Sequence, residues 1–288
     1  MRIILIGAGN LMTSLAPALR KAGHDILQVY SRTEHSATVL AAAVGCEAVT
    51  EVASVRDDAD VYIFSVSDRV LGELTDRVCG GRSGKLFLHT AGSIPMDVFR
   101  GKAVRYGVLY PMQTFSRTKV VDFCDIPCFV EGCDAATEAE IQALAASLSS
   151  RVYVLSSDAR RYLHLSAVFA CNFVNRCYAL SASLLERHGI PFDVMLPLID
   201  ETARKVHVMP PAEAQTGPAV RYDRNVIDAQ LSLLAEDPEL QEIYRLLSDS
   251  RHNGSHRCGL TAKSQLLGRL PLRTRIKGAL IHLSATNN

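Results

Sequence analysis

Three polar residues, His164, Asn172 and Asn175, interrupt a stretch from Asp158 to His188 that is otherwise apolar nearly all round (Val168, Phe169, Phe173, Val174, Tyr178, Leu180, Leu184). Imidazole titrates near neutrality and can hand a proton to a reacting oxygen or nitrogen; a carboxamide can orient a small polar molecule. Taken as one helix at roughly 100° per residue, the stretch puts the three at about 0°, 80° and 20°, on one face. His164 and Asn172 would stand about 12 Å apart along the axis, a span for a small substrate and too far for a direct hydrogen bond. The alternative is that neighbouring backbone or a partner subunit satisfies these groups. A second polar knot, Glu213 to Asp223, holds Thr216-Gly217-Pro218 as a turn between helices. Its Arg221 either pairs with Asp223 or holds a substrate carboxylate.

The helix that would carry His164 is capped by Ser157 or Asp158 and stopped by Gly189 and Pro191. Its apolar surround predicts burial at a domain or subunit core. Ahead of it, the chain alternates short apolar strands with helical stretches, the pattern of a mostly parallel sheet with helices on both faces. The first unit is the most telling. An apolar run, Ile3 to Ile6, breaks at Gly7-Ala8-Gly9-Asn10 and passes into a helical pattern at Leu11, Leu15 and Leu19. Strand, glycine turn and helix N-terminus form a cradle for a pyrophosphate, Gly7 for the tight turn and Gly9 for close backbone approach. Met12 stands where the dinucleotide fingerprint has a third glycine, which implies looser helix–strand packing, and Pro17 predicts a local kink.

The end of the second strand, Ile26–Tyr30, selects the nucleotide. An acid there would bind a ribose 2′-hydroxyl, but the chain reads Ser31-Arg32-Thr33, a guanidinium between two hydroxyls, suited to the 2′-phosphate of NADP(H). Three more strands, Asp60–Phe64, Lys85–His89 and Tyr106 onward, run into small or polar residues. Ligands of open α/β sheets sit beyond such strand ends, so Val66-Ser67-Asp68 and Thr90-Ala91-Gly92 are expected near the nicotinamide, with Gln113 and Thr114 a step further on. Strands at Ile126–Val130 and Arg151–Leu155 flank a helix at Thr137–Leu148, and no strand pattern follows.

Composition narrows the rest. No apolar run is long enough to span a membrane and no leader pattern precedes the first strand, so a cytoplasmic protein is expected. Cys124, Cys128 and Cys133 lack metal-ligand spacing and read as small side chains on and beside a strand, so no metal is expected. Residues 1–250 hold 24 basic and 30 acidic side chains, no footprint for nucleic acid, whereas residues 251–288 hold seven basic ones and no acid. That tail is expected to be a poorly ordered extension.

These pieces together resemble the pyrroline-5-carboxylate reductase and ketopantoate reductase branch of the NADP-dependent reductases. Nearest in likeness is a Rossmann-like bacterial group of NADP oxidoreductases of unassigned substrate. The resemblance spans roughly residues 1–250. It rests on Gly7-Ala-Gly-Asn10, Ser31-Arg-Thr33, Gly107-Val-Leu-Tyr-Pro-Met-Gln-Thr-Phe-Ser116, Tyr162-Leu-His-Leu-Ser-Ala-Val-Phe-Ala-Cys-Asn-Phe-Val-Asn175 and Thr216-Gly-Pro218. Ketopantoate reductases carry a catalytic lysine on the long helix with asparagines four and eight residues on; here His164, Val168 and Asn172 stand at those positions. The carboxylate-binding turn of the pyrroline-5-carboxylate reductases corresponds in placement to Thr216–Arg221.

The expectation is therefore an α/β chain, a Rossmann-type mostly parallel sheet followed by an all-α C-terminal domain. Residues 1–155 would bind NADP(H) through Gly7–Leu11, Ser31–Thr33, Val66–Asp68 and Thr90–Gly92. Residues 156–250 would form the substrate and homodimerisation domain, with His164, Asn172, Thr216 and Arg221 as catalytic residues, and 251–288 the tail. A small-molecule substrate, with no membrane or nucleic-acid partner, would receive a hydride at a C=O or C=N carbon. The competing class is a non-catalytic NADP-binding sensor or docking module on a reductase scaffold.

Overall fold

A computed structural model describes residues 1–217 and 223–261, the last eleven by their helix alone. The Ile3–Ile6 run forms β1 (Arg2–Ile6), in which each of those four side chains is fully buried. It is followed by α1 (Met12–Lys21), β2 (Asp25–Tyr30), α2 (Glu34–Val44), β3 (Glu47–Val49), β4 (Val61–Phe64) and α3 (Asp68–Cys79). Then come β5 (Leu86–His89), β6 (Arg105–Pro111), β7 (Cys128–Gly132), α4 (Ala135–Ala146) and β8 (Val152–Val154). The eight strands make one sheet in the order β3-β2-β1-β4-β5-β6-β7-β8. The chain reverses direction across the sheet between β1 and β4, leaving a crevice at the carboxyl end of β1 where such sheets take ligands.

The strands are apolar without interruption because both faces are covered. Ile3, Leu5, Val61, Ile63, Leu86 and Leu88 point to one face and pack with α1, α2 and α4. Their alternates Ile4, Ile6, Tyr62, Phe64 and Phe87 point to the other and pack with α3 and Phe99. Met12 is fully buried in the first cluster, so a side chain fills the space that a third glycine would have closed. α1 runs through Pro17. β6 and β7 are the one antiparallel pair, all others being parallel. No helix lies between them to carry the chain back across the sheet, so β7 starts at the end where β6 stops.

α5 (Ser157–Ala167) is fastened to this sheet by one buried carboxylate. Glu131, on β7, accepts from Ser157 N at 2.7 Å, from Ser157 Oγ at 2.6 Å and from Arg160 Nη1 at 2.7 Å. Arg160 is fully buried, and its Nη2 donates to the carbonyl of Ile94 at 2.6 Å. One ion pair thus joins β7, the N-terminus of α5 and the segment after β5. Ser156 caps the helix through Ala159 N at 3.4 Å.

Beyond α5 the helical ladder loosens into a π-helical stretch, Val168–Phe173, before α6 (Val174–Arg187). The expected single helix is therefore continuous in course but not in pitch, and the uniform 100° count fails across it. Within this chain Tyr162 is 74%, Phe169 62% and Phe173 51% exposed.

The chain falls into two compact units, Met1–Arg176 and a second beginning at Cys177. The second is helical: α7 (Leu196–Val208), α8 (Pro211–Ala214), α9 (Arg224–Leu233) and α10 (Pro238–Thr261) follow the end of α6. Arg187 pairs with Asp237 at 2.8 Å, and Gln241 Nε2 donates to the Leu231 carbonyl at 2.9 Å, closing α10 against α9. Among the described residues no strand follows Val154, and no helix is long and apolar enough to cross a membrane. The rest of the basic extension, 262–288, lies outside the described residues.

Removing one partner of a buried pair strands the other charge. Arg160→Met and Glu131→Gln are each expected to cost about 3–5 kcal/mol, read from urea unfolding at pH 7; a loss below ~1 kcal/mol would show the pair to be dispensable.

Candidate active site

At the crevice above β1 the structure holds a cleft of about 760 Å³. Its floor is the glycine turn, Gly7, Ala8 and Gly9. Gly7 adopts φ 113°, its N–H donates to the Tyr30 carbonyl at 2.8 Å, and a Cβ there would lie 2.2 Å from the Ser65 carbonyl oxygen. Only glycine fits. No side chain caps α1 and no acid stands in its first turn. Thr13 N–H donates to the Gly9 carbonyl at 3.3 Å and Ser14 N–H to the Leu11 carbonyl at 3.0 Å, so the helix start offers an anion its dipole rather than a full set of free N–H groups. Asn10 and Leu11 contribute backbone to this turn rather than lining the cleft with side chains; the Asn10 carbonyl accepts from Thr13 Oγ1 at 2.7 Å.

One wall is the end of β2. Ser31, Arg32 and Thr33 all line the cleft, with Ser36 one turn along α2. Arg32 is exposed and, among the described residues, has neither an ion pair nor a hydrogen bond. The opposite wall is Ser65, Val66 and Ser67 at the end of β4, continued by Val70, Leu74 and Arg77 along one face of α3. That apolar strip suits the flat face of a base. Arg77 pairs with Glu73 at 3.6 Å. Arg77 was findable, since 70, 74 and 77 share a helical face. Arg117, which also lines the cleft, lies in the connection between β6 and β7, where no periodicity points to it.

The loops after β4 and β5 meet beside this wall. Ser93 Oγ donates to the carboxylate of Asp68, the residue after Ser67. Thr90 is buried and its hydroxyl donates to the Phe64 carbonyl at 3.3 Å, so it holds the sheet end rather than a ligand. Ala91 N–H donates to His89 Nδ1 at 3.1 Å, which leaves the ring hydrogen on Nε2, 3.4 Å from the Pro95 carbonyl. Burial, then the nearby Arg160 charge, pushes the His89 imidazole down to about 3. Gly92 lies directly against His164: a Cβ on it would be 2.5 Å from the imidazole Nδ1. That nitrogen is 3.1 Å from the Tyr110 hydroxyl, and the two rings meet edge to face at 6.0 Å. Burial raises the Tyr110 phenol above its ordinary value, so it keeps its proton.

The remaining candidates are dispersed. Asn172 and Asn175 are exposed; Asn172 lies within the π-helical stretch and Asn175 beyond it, so neither continues the α-helical turn of His164. Gln113 is exposed and accepts from Thr114 N–H at 2.8 Å, ordinary turn chemistry. Thr216 is exposed in the second unit, and Arg221 lies outside the described residues. Cys128 is buried as expected of a strand residue, Cys133 is half-buried and Cys124 exposed.

Residues 2–91 match the family described as NADP oxidoreductase, coenzyme F420-dependent, and residues 126–251 match a domain of unknown function. A putative NADP oxidoreductase from Bacteroides fragilis is 53% identical, over 88% of this chain and 98% of that one, with a TM-score of 0.85. The chain belongs to this family of NADP oxidoreductases. The fold recurs in a protein from Thermotoga maritima, 20% identical over 87% of this chain and 99% of that one with a TM-score of 0.70. It also recurs in a 1-pyrroline-5-carboxylate reductase from Streptococcus pyogenes, 11% identical over 88% and 98% with a TM-score of 0.58. No curated protein matches the chain. Family membership makes an oxidoreductase the reading of the cleft and sets the sensor alternative aside.

His89 gives the site a pH dependence. The unfolded imidazole takes up a proton near pH 6.5 and the folded one only near 3, so between these values the unfolded state binds more protons. Stability is fully present above pH 6.5 and falls as pH drops, by at most roughly 1.4 kcal/mol per pH unit from this group. Urea midpoints between pH 6.5 and 5 are expected to fall more steeply for the wild type than for His89→Asn; equal slopes would clear His89 of the effect.

Proposed function

We propose that the protein is an NADPH-dependent reductase acting on a C=O or C=N carbon of a small carboxylate-bearing substrate. The observation that carries this reading is an unbroken run of contacts. Arg32 and the glycine turn line one cleft; Ser67 lines its far wall; Asp68 binds Ser93, and Gly92 packs under His164. Bound there, NADPH supplies the hydride. Arg32, with Ser31 and Thr33, offers an unpaired guanidinium and two hydroxyls to the 2′-phosphate, a preference for NADP over NAD.

His164 serves as the proton donor. Its Nδ1 is committed to Tyr110. In the neutral ring Nδ1 accepts from the phenol, and in the protonated ring Nδ1–H donates to the phenol oxygen. In both states Nε2–H is the group left for a substrate heteroatom, and the imidazolium form has a proton to give as the hydride arrives. Gly92 leaves the imidazole no room to shift toward the β5 loop. Orientation of the substrate falls in this proposal to Asn172. The 1-pyrroline-5-carboxylate named for the streptococcal neighbour has the required chemistry, a cyclic imine bearing a carboxylate.

The exposed Tyr162, Leu165, Phe169 and Phe173 of α5 and the π-helical stretch are more apolar surface than a solitary helix keeps in water. We assign them to a homodimer in the cytoplasm. Sedimentation is expected to give a mass near twice 31.4 kDa, and Phe169→Glu to shift the protein toward that of one chain; a wild-type monomer at micromolar concentration would remove this face from the proposal.

The test of function is a titration of NADPH and NADH followed by an NADPH-oxidation screen of keto acids, cyclic imines and coenzyme F420. On the substrate so found, His164→Ala is expected to slow turnover about 10²–10⁴-fold while NADPH affinity changes less than about twofold. Unchanged turnover would exclude His164; a wild type that binds no nicotinamide dinucleotide would exclude the reductase.

A further inference from the structure

The connection between β6 and β7, residues 112–127, lies back over α1. Thr13 Oγ1 donates to the Ser116 carbonyl at 3.4 Å, and Val121 N–H donates to Ser14 Oγ at 3.1 Å. Phe115 stacks on Phe123 at 5.8 Å, and Ser116 bridges to Lys119. So fastened, the segment carries Arg117 to the cleft from the side opposite Arg77 and α3.

Arg117 is short of partners for a guanidinium at a built site. Its Nη2 lies 3.3 Å from the Ala8 carbonyl and 3.5 Å from Ser36 Oγ, and no carboxylate pairs with it among the described residues. Both contacts are long and both acceptors are neutral. A phosphate oxygen would displace either of them, because a charge-assisted hydrogen bond is roughly twice as strong as a neutral one. Position narrows the choice of phosphate. Ser36 belongs with Ser31, Arg32 and Thr33, the group at the end of β2, and Arg32 likewise has no carboxylate partner among the described residues. Two guanidinium groups without a carboxylate partner among the described residues therefore line one cleft with these hydroxyls, from two different elements. Like charges are costly to gather unless an anion comes between them.

We propose that Arg117 is a second cation for the adenosine 2′-phosphate, so that the β6–β7 connection acts as a strap that distinguishes NADP from NAD. This rests on the reductase reading above. Arg32 grips the phosphate from the β2 end, and Arg117 closes on it from across the glycine turn. No bond is made or broken; the strap contributes binding alone.

Calorimetric titration of wild type, Arg117→Ala and Arg117→Lys with NADPH, NADH and adenosine 2′,5′-bisphosphate tests it. Arg117→Ala is expected to weaken NADPH and the bisphosphate at least about tenfold while NADH changes less than about twofold, and Arg117→Lys to recover part of the loss. Unaltered NADPH affinity overturns the proposal. An equal loss for NADPH and NADH also overturns it, placing Arg117 on the shared pyrophosphate or in the fold. A wild type with no preference for NADPH defeats the NADP reading before any variant is compared, whereas a preference that survives Arg117→Ala defeats only the strap.

Discussion

The buried carboxylate of Glu131 is the constraint on which the placement of α5 and its His164 depends. It accepts from the Ser157 backbone, the Ser157 hydroxyl and Arg160, and Arg160 in turn holds the Ile94 carbonyl. A carboxylate at a helix N-terminus also meets the positive end of the helix dipole, so charge, dipole and hydrogen bonds act in the same direction. The cost of burying two ions is met by near-complete satisfaction of their polar atoms, Arg160 Nε being the one left without a partner. One turn beyond Arg160 stands His164. Its placement against Gly92 and Tyr110 follows from where Glu131 anchors the helix and not from any strong bond of its own.

The same arginine shapes its surroundings electrically. His89 is buried beside it and stays neutral over the physiological range, with each ring nitrogen assigned a separate backbone partner. A neutral imidazole there acts as a spacer that accepts from Ala91 and donates toward Pro95, fixing both ends of the loop that includes Gly92. The two histidines therefore differ in surroundings. His89 is removed from titration by burial, while His164, half-buried, keeps one nitrogen open.

The sheet was legible because its strands are apolar on both faces, and a run such as Ile3–Ile6 has few other uses in a globular chain. The cleft was legible because Gly7 and Arg32, which line it, are local signals: a turn that tolerates no side chain, and a cation where a carboxylate would otherwise stand. Arg117 was not legible, since only the return of an irregular connection brings it to the cleft. The His164–Tyr110 pair joins residues 54 positions apart on a helix and a strand, and neither segment alone points to the other. The polar face of the long helix failed for a different reason. Its arithmetic assumed one pitch, and the π-helical stretch changes it between His164 and Asn175. Apolar residues on that helix say that a surface wants covering, but not by what.

The antiparallel turn-back at β7 has a consequence for how the chain can vary. Met112 N–H donates to the Pro127 carbonyl at 2.8 Å, so the two ends of the intervening segment are already neighbours. The segment does not cross the sheet, and its length is not set by the distance between strands. Lengthening such a closed excursion costs little, about 0.6 kcal/mol for each doubling. Its exposed part, residues 116–120, can lengthen while Phe123 and Ile126 stay in the core and the eight strands keep their register. The loop beside the cleft is in this sense free to lengthen, while its return, through Phe123 and Ile126, belongs to the core of the platform.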